Sequence, residues 1–337
     1  MRRLWIPLLV VVVLGLGVGA WVSTRGKTAT STTTTSTTTT IHPDVAPLTG
    51  LVDPSGASRG RPALTVKIEN TPEAMPQWGI DQADVVYEEI VNGGITRLAA
   101  IFNSHAPAKV GPVRSVRPTD TSVVWPLGGI FAYSGGAAYA IQSISTVPSL
   151  KLIDESSAGA AMFRDPTRYA PHNLYADAVL LMAKGGTPKP PPALFTYSSG
   201  TKRTPGVRVR SFVVGFAAGY ATTFAWNPKT LSWDRSIFGA PDVTASRVQL
   251  SPKNVIVMFV HYIGGVGVIG SEALLNGHGI ADVFTGGTVQ RANWTRAGLR
   301  HPIVYRGSNG RIIALHPGQT WVELLDTSEQ VSIVSIK

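Results

Sequence analysis

An apolar run near the N-terminus constrains this chain most, because the segment is too long and too apolar to be an ordinary part of a soluble domain. The run from Leu4 to Val22 holds nineteen residues without a charged side chain, and Met1-Arg2-Arg3 precedes it. A helix of that length just crosses the hydrocarbon core of a bilayer. Arginines before such a helix stay on the cytoplasmic side, so the rest of the chain is expected outside the cell membrane.

Two interpretations of this run stay open. The first is an uncleaved single-pass anchor, with the body extracytoplasmic. The second is a signal peptide cleaved after small residues such as Val18-Gly19-Ala20, which gives a secreted protein. The length of the run favours the anchor. The chain has no cysteine, which excludes attachment of lipid through cysteine, disulfide bonds and thiol catalysis.

A nearly pure Thr/Ser tract follows and ends at Thr40. Such a low-complexity segment has too few apolar side chains to form a core, so it predicts a disordered stalk. The sequence therefore divides first into residues 1–22, a membrane anchor or signal segment, and residues 23–47, a disordered linker.

The remaining chain is expected to have an α+β fold in two parts. The content of 35 glycines and 24 prolines favours a loop-rich and β-rich body over a helix bundle. Helix-like and strand-like patterns are mixed in residues 48–192, whereas short strand patterns dominate residues 193–337. A proline-rich connector at 185–193 marks the predicted boundary. Short helices are predicted at 119–125, 137–144 and 177–184.

A β-hairpin is the strongest local prediction. The β-prone runs 84–91 and 95–102 flank Asn92-Gly93-Gly94, and an Asn-Gly pair between two such runs is typical of a tight turn. Glu88 and Glu89 are neighbours in the first strand, so their side chains point to opposite faces. One of them is therefore expected to face the core or a cleft.

Two stiff polar segments stand out in the same half of the chain. The first is Val110-Gly111-Pro112-Val113-Arg114-Ser115-Val116-Arg117-Pro118, and the second is Arg168-Tyr169-Ala170-Pro171-His172-Asn173-Leu174-Tyr175. Arginine inside an apolar body usually binds a carboxylate or a phosphate. Because stiff polar groups need partners there, we expect the two segments to meet in one cleft with Glu88 or Glu89 at its wall.

The candidate ligand-binding residues are therefore four arginines, one histidine, one asparagine and two glutamates: Arg97, Arg114, Arg117, Arg168, His172, Asn173, Glu88 and Glu89. A purely structural interpretation stays open for each. The arginines can pair with acids of the protein itself, as Arg97 can pair across the hairpin. Asn173 or Asp177 can cap the following helix, and a lone histidine is often structural.

Several classes of site are not indicated. The seven histidines are scattered, and none lies at metal-ligand spacing from His172, so we predict no metal site. Ser134-Gly135-Gly136 follows a predicted strand but matches neither the P-loop nor the dinucleotide fingerprint, so no cofactor is predicted. Residues 201–337 hold fourteen basic and seven acidic side chains. That excess favours contact with an anionic surface such as lipid or wall polymer, and the expected location argues against nucleic acid.

Several ordered motifs resemble the YerB-like family of exported bacterial proteins, a domain of unknown function in two parts. The motifs of the first part are Ala83-Asp84-Val85-Val86-Tyr87-Glu88, Gly93-Gly94-Ile95-Thr96-Arg97, Gly111-Pro112-Val113-Arg114-Ser115-Val116-Arg117, Phe163-Arg164-Asp165 and Pro171-His172-Asn173-Leu174. Lys253-Asn254-Val255-Ile256-Val257-Met258, the segment from Gly287-Thr288 to Trp294, and the segment from Asn309-Gly310 to Val322 resemble the second part. The resemblance implies a two-part extracellular body and no established activity. Many members are lipoproteins, and this chain lacks the cysteine for that anchor.

Two functional classes remain open at this point. The first is an envelope-binding module whose arginines hold an anionic group of a wall polymer or a partner protein. The second is a cell-envelope hydrolase or transferase, in which Glu88 or Glu89 and His172 perform acid–base chemistry while the arginines stabilise negative charge. A catalytic carboxylate would show a raised pKa in an open cleft, whereas a fully paired ion network favours binding or structure.

Overall fold

The computed structural model describes residues 45–185, 189–199 and 204–336. The predicted membrane segment and nearly all of the predicted stalk lie outside these residues. Within the described ranges, no helix combines the length and the apolar character that crossing a membrane requires.

The described residues form nineteen β-strands and four α-helices. The strands are β1 Leu64–Glu69, β2 Val85–Ile90, β3 Thr96–Phe102, β4 Gly129–Tyr133, β5 Leu150–Asp154, β6 Met162–Arg164, β7 Leu174–Ala176, β8 Val207–Gly215, β9 Ala221–Asn227, β10 Ser232–Ile237, β11 Ala240–Pro241, β12 Asn254–Val260, β13 Tyr262–Ile263, β14 Glu272–Ala273, β15 Gly277–Thr285, β16 Thr288–Arg296, β17 Val304–Gly307, β18 Thr320–Asp326 and β19 Val331–Ser335. The helices are α1 Pro118–Val124, α2 Ala138–Ser145, α3 Glu155–Ala158 and α4 Ala178–Ala183. All four helices precede residue 193, so the predicted α+β class, with a β-rich second half, is confirmed.

Fifteen of the strands form one mixed sheet. Its order is β11-β10-β9-β8-β16-β15-β12-β18-β2-β3-β1-β4-β5, with β17 paired to β16 and β19 paired to β8. Strand β18 lies parallel to both β12 and β2. It therefore joins strands from the two predicted parts into one sheet, and residues 42–337 form one compact unit. The division at residue 192 stays a prediction.

The predicted hairpin is present as β2 and β3, which pair from Val85 and Ile101 to Ile90 and Thr96. A short 3-10 turn, Asn92–Gly94, connects them. Strand β1 pairs with the other edge of β3. Both faces of these three strands are covered, and every residue of β1, β2 and β3 is buried. The charged residues in these strands are therefore inside the protein, where each needs an electrostatic partner.

The aromatic residues of the second half mostly fill its core. Phe212 stacks on Phe284 with ring centroids 3.6 Å apart, and the fully buried Trp233 packs edge-on against Phe212 at 5.2 Å. Such pairs stabilise a β core through burial and ring geometry. These side chains are consequently not available for stacking on a ligand.

Candidate functional site

A row of three charged side chains crosses the centre of the sheet. Arg97 in β3 lies opposite Glu69 of β1 and opposite Glu89 of β2. Residues that directly face each other in antiparallel strands project to the same side of the sheet. The three side chains therefore share one face, which we call the arginine face. All three residues are buried.

Glu69 connects the two segments that the sequence predicts to meet. Its Oε1 accepts a hydrogen bond from Arg114 Nη2 at 2.8 Å, and its Oε2 lies 2.9 Å from His172 Nδ1. The side chains of Arg114 and His172 remain 21% and 25% exposed, whereas Glu69 is buried. One buried carboxylate thus holds an arginine and a histidine at the protein surface.

The backbone fixes this arrangement. The amide of Arg114 donates to the carbonyl of Lys67 at 2.8 Å, and its carbonyl accepts from Ser134 at 2.9 Å. The amide of Val113 donates to Leu174 at 2.7 Å, which ties the arginine segment directly to the histidine segment. Backbone amides and carbonyls inside a protein need such partners. Pairing of the two segments with each other satisfies this need and positions the side chains.

Arg97 has an unusual environment. It is only 5% exposed, yet no residue of the described chain forms a hydrogen bond or an ion pair with its guanidinium, and its Nε–H is buried without an acceptor. Burial and the nearby positive charges of Arg117 and Arg114 lower the pKa of Arg97 to about 10, against the raising effect of the neighbouring glutamates. The arginine face therefore holds a cation that the described residues leave unsatisfied.

Arg117 and Arg114 also have hydrogen-bond donors without acceptors. The Nη1 of Arg117 donates to the carbonyl of Val116 at 3.0 Å, and no carboxylate within the described ranges pairs with this guanidinium. The Nε–H groups of Arg114 and Arg117 are buried without acceptors, as is that of Arg97. Three arginines with free donors thus lie close together near the start of β3.

Lys67, Glu89 and Asp120 form the floor of the arginine face. Lys67 Nζ donates to Glu89 and, at 2.7 Å, to Asp120 Oδ1. The other oxygen of Asp120 accepts from the amide of Arg117 at 2.7 Å, which caps the start of α1. Burial raises the pKa of Asp120 to about 6; Lys67 opposes this shift and Glu89 adds to it.

Glu88 lies on the opposite face of the sheet. Its Oε2 accepts from Arg235 Nη2 at 2.8 Å and its Oε1 from Asn70 at 3.0 Å. Glu323 of β18 lies opposite it, and burial together with the charge of Glu88 raises the pKa of Glu323 well above its usual value. Glu88 is thus separated from Arg114 and His172 by the sheet.

The sequence predicted Glu88 or Glu89 at the wall of the cleft, and it did not identify the carboxylate beside the histidine. Glu88 and Glu89 do point to opposite faces, and Glu89 does lie beside Arg97, but the group that contacts Arg114 and His172 is Glu69. A signal for it was present, because Lys67 and Glu69 alternate within an otherwise apolar strand and must therefore share one buried face.

Arg168 and Asn173 make their contacts with the protein itself. The guanidinium of Arg168 donates to the four carbonyls of residues 73–76 and, at 2.7 Å, to the hydroxyl of Tyr175. Asn173 accepts from Arg164 at 2.7 Å and donates to the carbonyl of Arg168 at 3.2 Å. These two side chains hold the loops on either side of His172. The cap of α4 is Asp177, not Asn173.

Two other kinds of site are a metal centre and an apolar cavity. Within the described residues, no group of three or more His, Asp or Glu side chains is placed to hold a metal ion. A cavity of about 680 Å³ lies against β12, β15 and β19, with Phe259, Ile280 and Trp294 in its walls. Its lining includes none of the candidate residues, and it lacks the unpaired cations of the arginine face.

Comparison with known proteins places this geometry in a family. The model described as "Protein of unknown function (DUF3048) N-terminal domain" matches residues 48–188, and the model of the corresponding C-terminal domain matches residues 212–322. A Bacillus subtilis protein named "Putative lipoprotein YerB" is 28% identical over 302 residues, which cover 86% of this chain and 88% of that protein.

The fold is similar as well. The crystal structure of the YerB protein from Bacillus subtilis aligns with a TM-score of 0.73 at 22% sequence identity, over 86% of this chain and 99% of that one. The resemblance predicted from the ordered motifs is confirmed. The chain belongs to the two-part DUF3048 family, whose members are described as proteins of unknown function.

Proposed function

We propose that this protein binds an anionic group of a cell-envelope molecule through Arg97, Arg114 and Arg117. The observation that carries the proposal is the buried guanidinium of Arg97, which has no hydrogen-bond partner within the described chain. A buried guanidinium without hydrogen-bond acceptors destabilises a fold even when carboxylates lie nearby, as Glu69 and Glu89 do here, so such groups are commonly kept for a function. Arginine donors are well matched to carboxylate and phosphate oxygens.

The charge balance of the site supports an anionic ligand. Four cations, Lys67, Arg97, Arg114 and Arg117, face three carboxyl groups. One of the three, Asp120, is easily protonated because burial raises its pKa to about 6. An oxyanion that accepts from the free donors of the arginines would complete this network. His172, which is held by Glu69, stands at the exposed rim.

The proposed location is the outer side of the cell membrane. The apolar run after Met1-Arg2-Arg3 has the length and the flanking charge of a single-pass anchor. The related protein from Bacillus subtilis carries the word lipoprotein in its name, and this chain lacks the cysteine to which a lipid would be attached. A hydrophobic helix is therefore the proposed anchor, and an anionic wall polymer or envelope protein is the proposed partner.

The binding proposal is tested with sulfate, an oxyanion whose charge is constant near neutral pH. Full-length protein in detergent is titrated with sodium sulfate by calorimetry, with sodium chloride at equal ionic strength as the reference. We expect saturable binding that Arg97→Met abolishes with little change in the melting temperature, because the substitution removes no internal hydrogen bond, and repulsion from Arg117 and Arg114 opposes the attraction of Arg97 to Glu69 and Glu89. Arg291→Met, which removes an exposed arginine paired with Asp282, is the matched control and should bind as the wild type does.

The result that contradicts this proposal is equally definite. If Arg97→Met lowers the melting temperature strongly and sulfate binding is absent in the wild type, the three arginines only stabilise the fold.

A second candidate function is supported by one contact. His172 Nδ1 lies 2.9 Å from Glu69 Oε2, which leaves Nε2 of this partly exposed ring without a partner in the described chain. A carboxylate that orients a histidine in this way is a common element of acid–base catalysis. A hydrolase or transferase would then use His172 as the base, Glu69 as the orienting group and the arginines to stabilise negative charge. Hydrolysis of bis(p-nitrophenyl) phosphate that His172→Gln eliminates would favour this function over simple binding.

A further inference from the structure

An apolar loop lies beside the arginine face. Residues 262–271, which we call the glycine loop, contain no charged side chain and connect β13 to β14. Ile269 at its tip is 81% exposed, and Ile263 and Val268 are about half exposed. Large aliphatic side chains grouped on one exposed loop are unfavourable in water and commonly mark an interaction surface.

Two contacts fix the glycine loop next to the candidate site. The carbonyl of Gly267 accepts a hydrogen bond of 2.7 Å from Gly93, in the turn that follows Glu89 and precedes Arg97. The amide of Ala273 donates to the hydroxyl of Thr119 at 3.0 Å, two residues after Arg117. The loop therefore borders the end of the sheet at which the arginines converge.

The backbone of the loop requires this close approach. Gly267 has a φ of 69°, and a Cβ at this position would lie 2.8 Å from the amide nitrogen of Gly94. Only glycine satisfies both conditions. Ser271 Oγ donates to the carbonyl of Gly265 at 2.7 Å, which closes the loop on itself. The loop thus has a defined shape that directs its aliphatic side chains to solvent.

A tyrosine extends the apolar surface of the glycine loop. Tyr139 at the start of α2 is about half exposed, and its ring lies next to Gly270. The carbonyl of Gly135, just before α2, accepts a hydrogen bond of 3.1 Å from the amide of Val116. Tyrosine is enriched where proteins meet the boundary between lipid and water.

We propose that this end of the protein docks on an anionic lipid surface, with a lipid phosphate at Arg97, Arg114 and Arg117 and with the glycine loop inserted among the acyl chains. The inference rests on the proposed function, because it names the ligand of the same anion site. In a bilayer the phosphates lie on the aqueous side of the acyl chains. On this protein surface the arginines lie next to an aliphatic loop without charge. The arginines would contact the phosphates while the loop contacts the acyl chains.

The absence of cysteine from the sequence allows a direct test. Ile269→Cys is labelled with an environment-sensitive fluorophore in the full-length protein, which is placed in nanodiscs of phosphatidylcholine alone or with added phosphatidylglycerol. We expect a blue shift of emission, and quenching by lipids with spin labels on their acyl chains, only in the discs with phosphatidylglycerol. Arg117→Met in the labelled protein should abolish both signals.

Val207→Cys provides the control position. Val207 is more than half exposed, and it pairs with Val289 near the start of β16, at the opposite end of the strands. A label there should report water in both kinds of disc.

The outcomes separate the two proposals. If the label at Ile269 stays in water in phosphatidylglycerol discs while sulfate still binds, the lipid inference fails and the proposed function stands. Equal insertion in both kinds of disc also overturns the inference, because insertion would then not depend on the net negative charge of the lipid headgroups. If the label stays in water and sulfate does not bind, both proposals fail.

Discussion

Two buried arginines on opposite faces of the same sheet have opposite environments. Arg235 is fully buried and donates to Glu88 at 2.8 Å and to Asp242, and its guanidinium lies 4.5 Å from the centre of the Trp321 ring. Arg97 is almost as deeply buried, but the described residues give its guanidinium no hydrogen bond. The Nε–H of each of the two arginines lacks an acceptor, so the difference lies in the terminal nitrogens, which are hydrogen-bonded only in Arg235.

The pKa values of the two arginines shift in opposite directions because the neighbouring charges differ. Burial alone would lower the pKa of Arg235, but the charges of Glu88 and Asp242 outweigh it, so that pKa is raised. Burial and two neighbouring arginines lower the pKa of Arg97. Burial by itself therefore does not identify a cation with a structural role. The side chain with hydrogen-bonded partners inside the protein belongs to the core, and the side chain without them is the one for which we propose a ligand.

The largest expected effect is on stability when Arg235 is removed. Arg235→Met leaves Glu88 and Asp242 buried without their cation, and loss of one partner of a buried ion pair costs about 3–5 kcal/mol. The midpoint of urea unfolding, followed by tryptophan fluorescence of the full-length protein, should fall accordingly. Arg97→Met deletes the same group from the other face and should leave the midpoint unchanged or raise it. Equal losses in the two variants would remove the distinction between the two arginines.

Arg168→Lys is expected to have the next largest effect. The planar guanidinium spans several carbonyls of residues 73–76 and the hydroxyl of Tyr175, and an ammonium group cannot reproduce that fork. The free energy of unfolding should fall by about 1.5–3 kcal/mol, the range for hydrogen bonds to charged groups. Sulfate affinity should be retained. Loss of affinity at unchanged stability would instead place Arg168 in the binding site. Arg164→Lys is the exposed control on the same segment.

The sequence predicted a considerable part of this site. The β2–β3 hairpin follows from Asn92-Gly93-Gly94, and the opposite orientation of Glu88 and Glu89 follows from strand geometry. The meeting of Arg114 with His172 followed from the need of two stiff polar segments for partners. Each of these features depends on local pattern or on one strong physical requirement.

The missed features depend on partners distant in the chain. Glu88 is occupied by Arg235, 147 residues away, so no local pattern could exclude it from the site. Glu69 reaches His172 because β1 lies at the edge of β3 opposite β2, a strand order that short-range periodicity does not encode. Whether Arg97 has a partner likewise depends on the complete three-dimensional environment.

Arg114→Lys tests the role of an arginine that is only partly paired. Arg114 shares an ion pair with Glu69 and has a buried Nε–H without an acceptor. The substitution keeps the charge, and a partly exposed pair contributes about 0–1 kcal/mol, so stability should change little. Sulfate affinity should fall by about 1.5 kcal/mol, roughly tenfold, because the guanidinium donors are lost. A lower melting temperature with unaltered sulfate affinity would assign Arg114 to the structural class of Arg235.

The smallest expected effect is a pH dependence of anion binding that originates at Asp120. The carboxyl contacts Lys67 Nζ and the amide of Arg117, and Glu89 lies close to it. Since burial raises its pKa to about 6, it is protonated below that pH and ionised above it. Protonation removes a negative charge beside the arginines, so sulfate should bind more tightly as the pH falls from 7 to 5. Screened electrostatic effects of this kind are worth less than about 1 kcal/mol, a fewfold change in Kd. Asp120→Asn removes the titrating group, and the difference between the wild-type and variant pH profiles isolates its contribution. Identical profiles would show that Asp120 is electrostatically separate from the anion, and would weaken the assignment of Arg117 to the binding site.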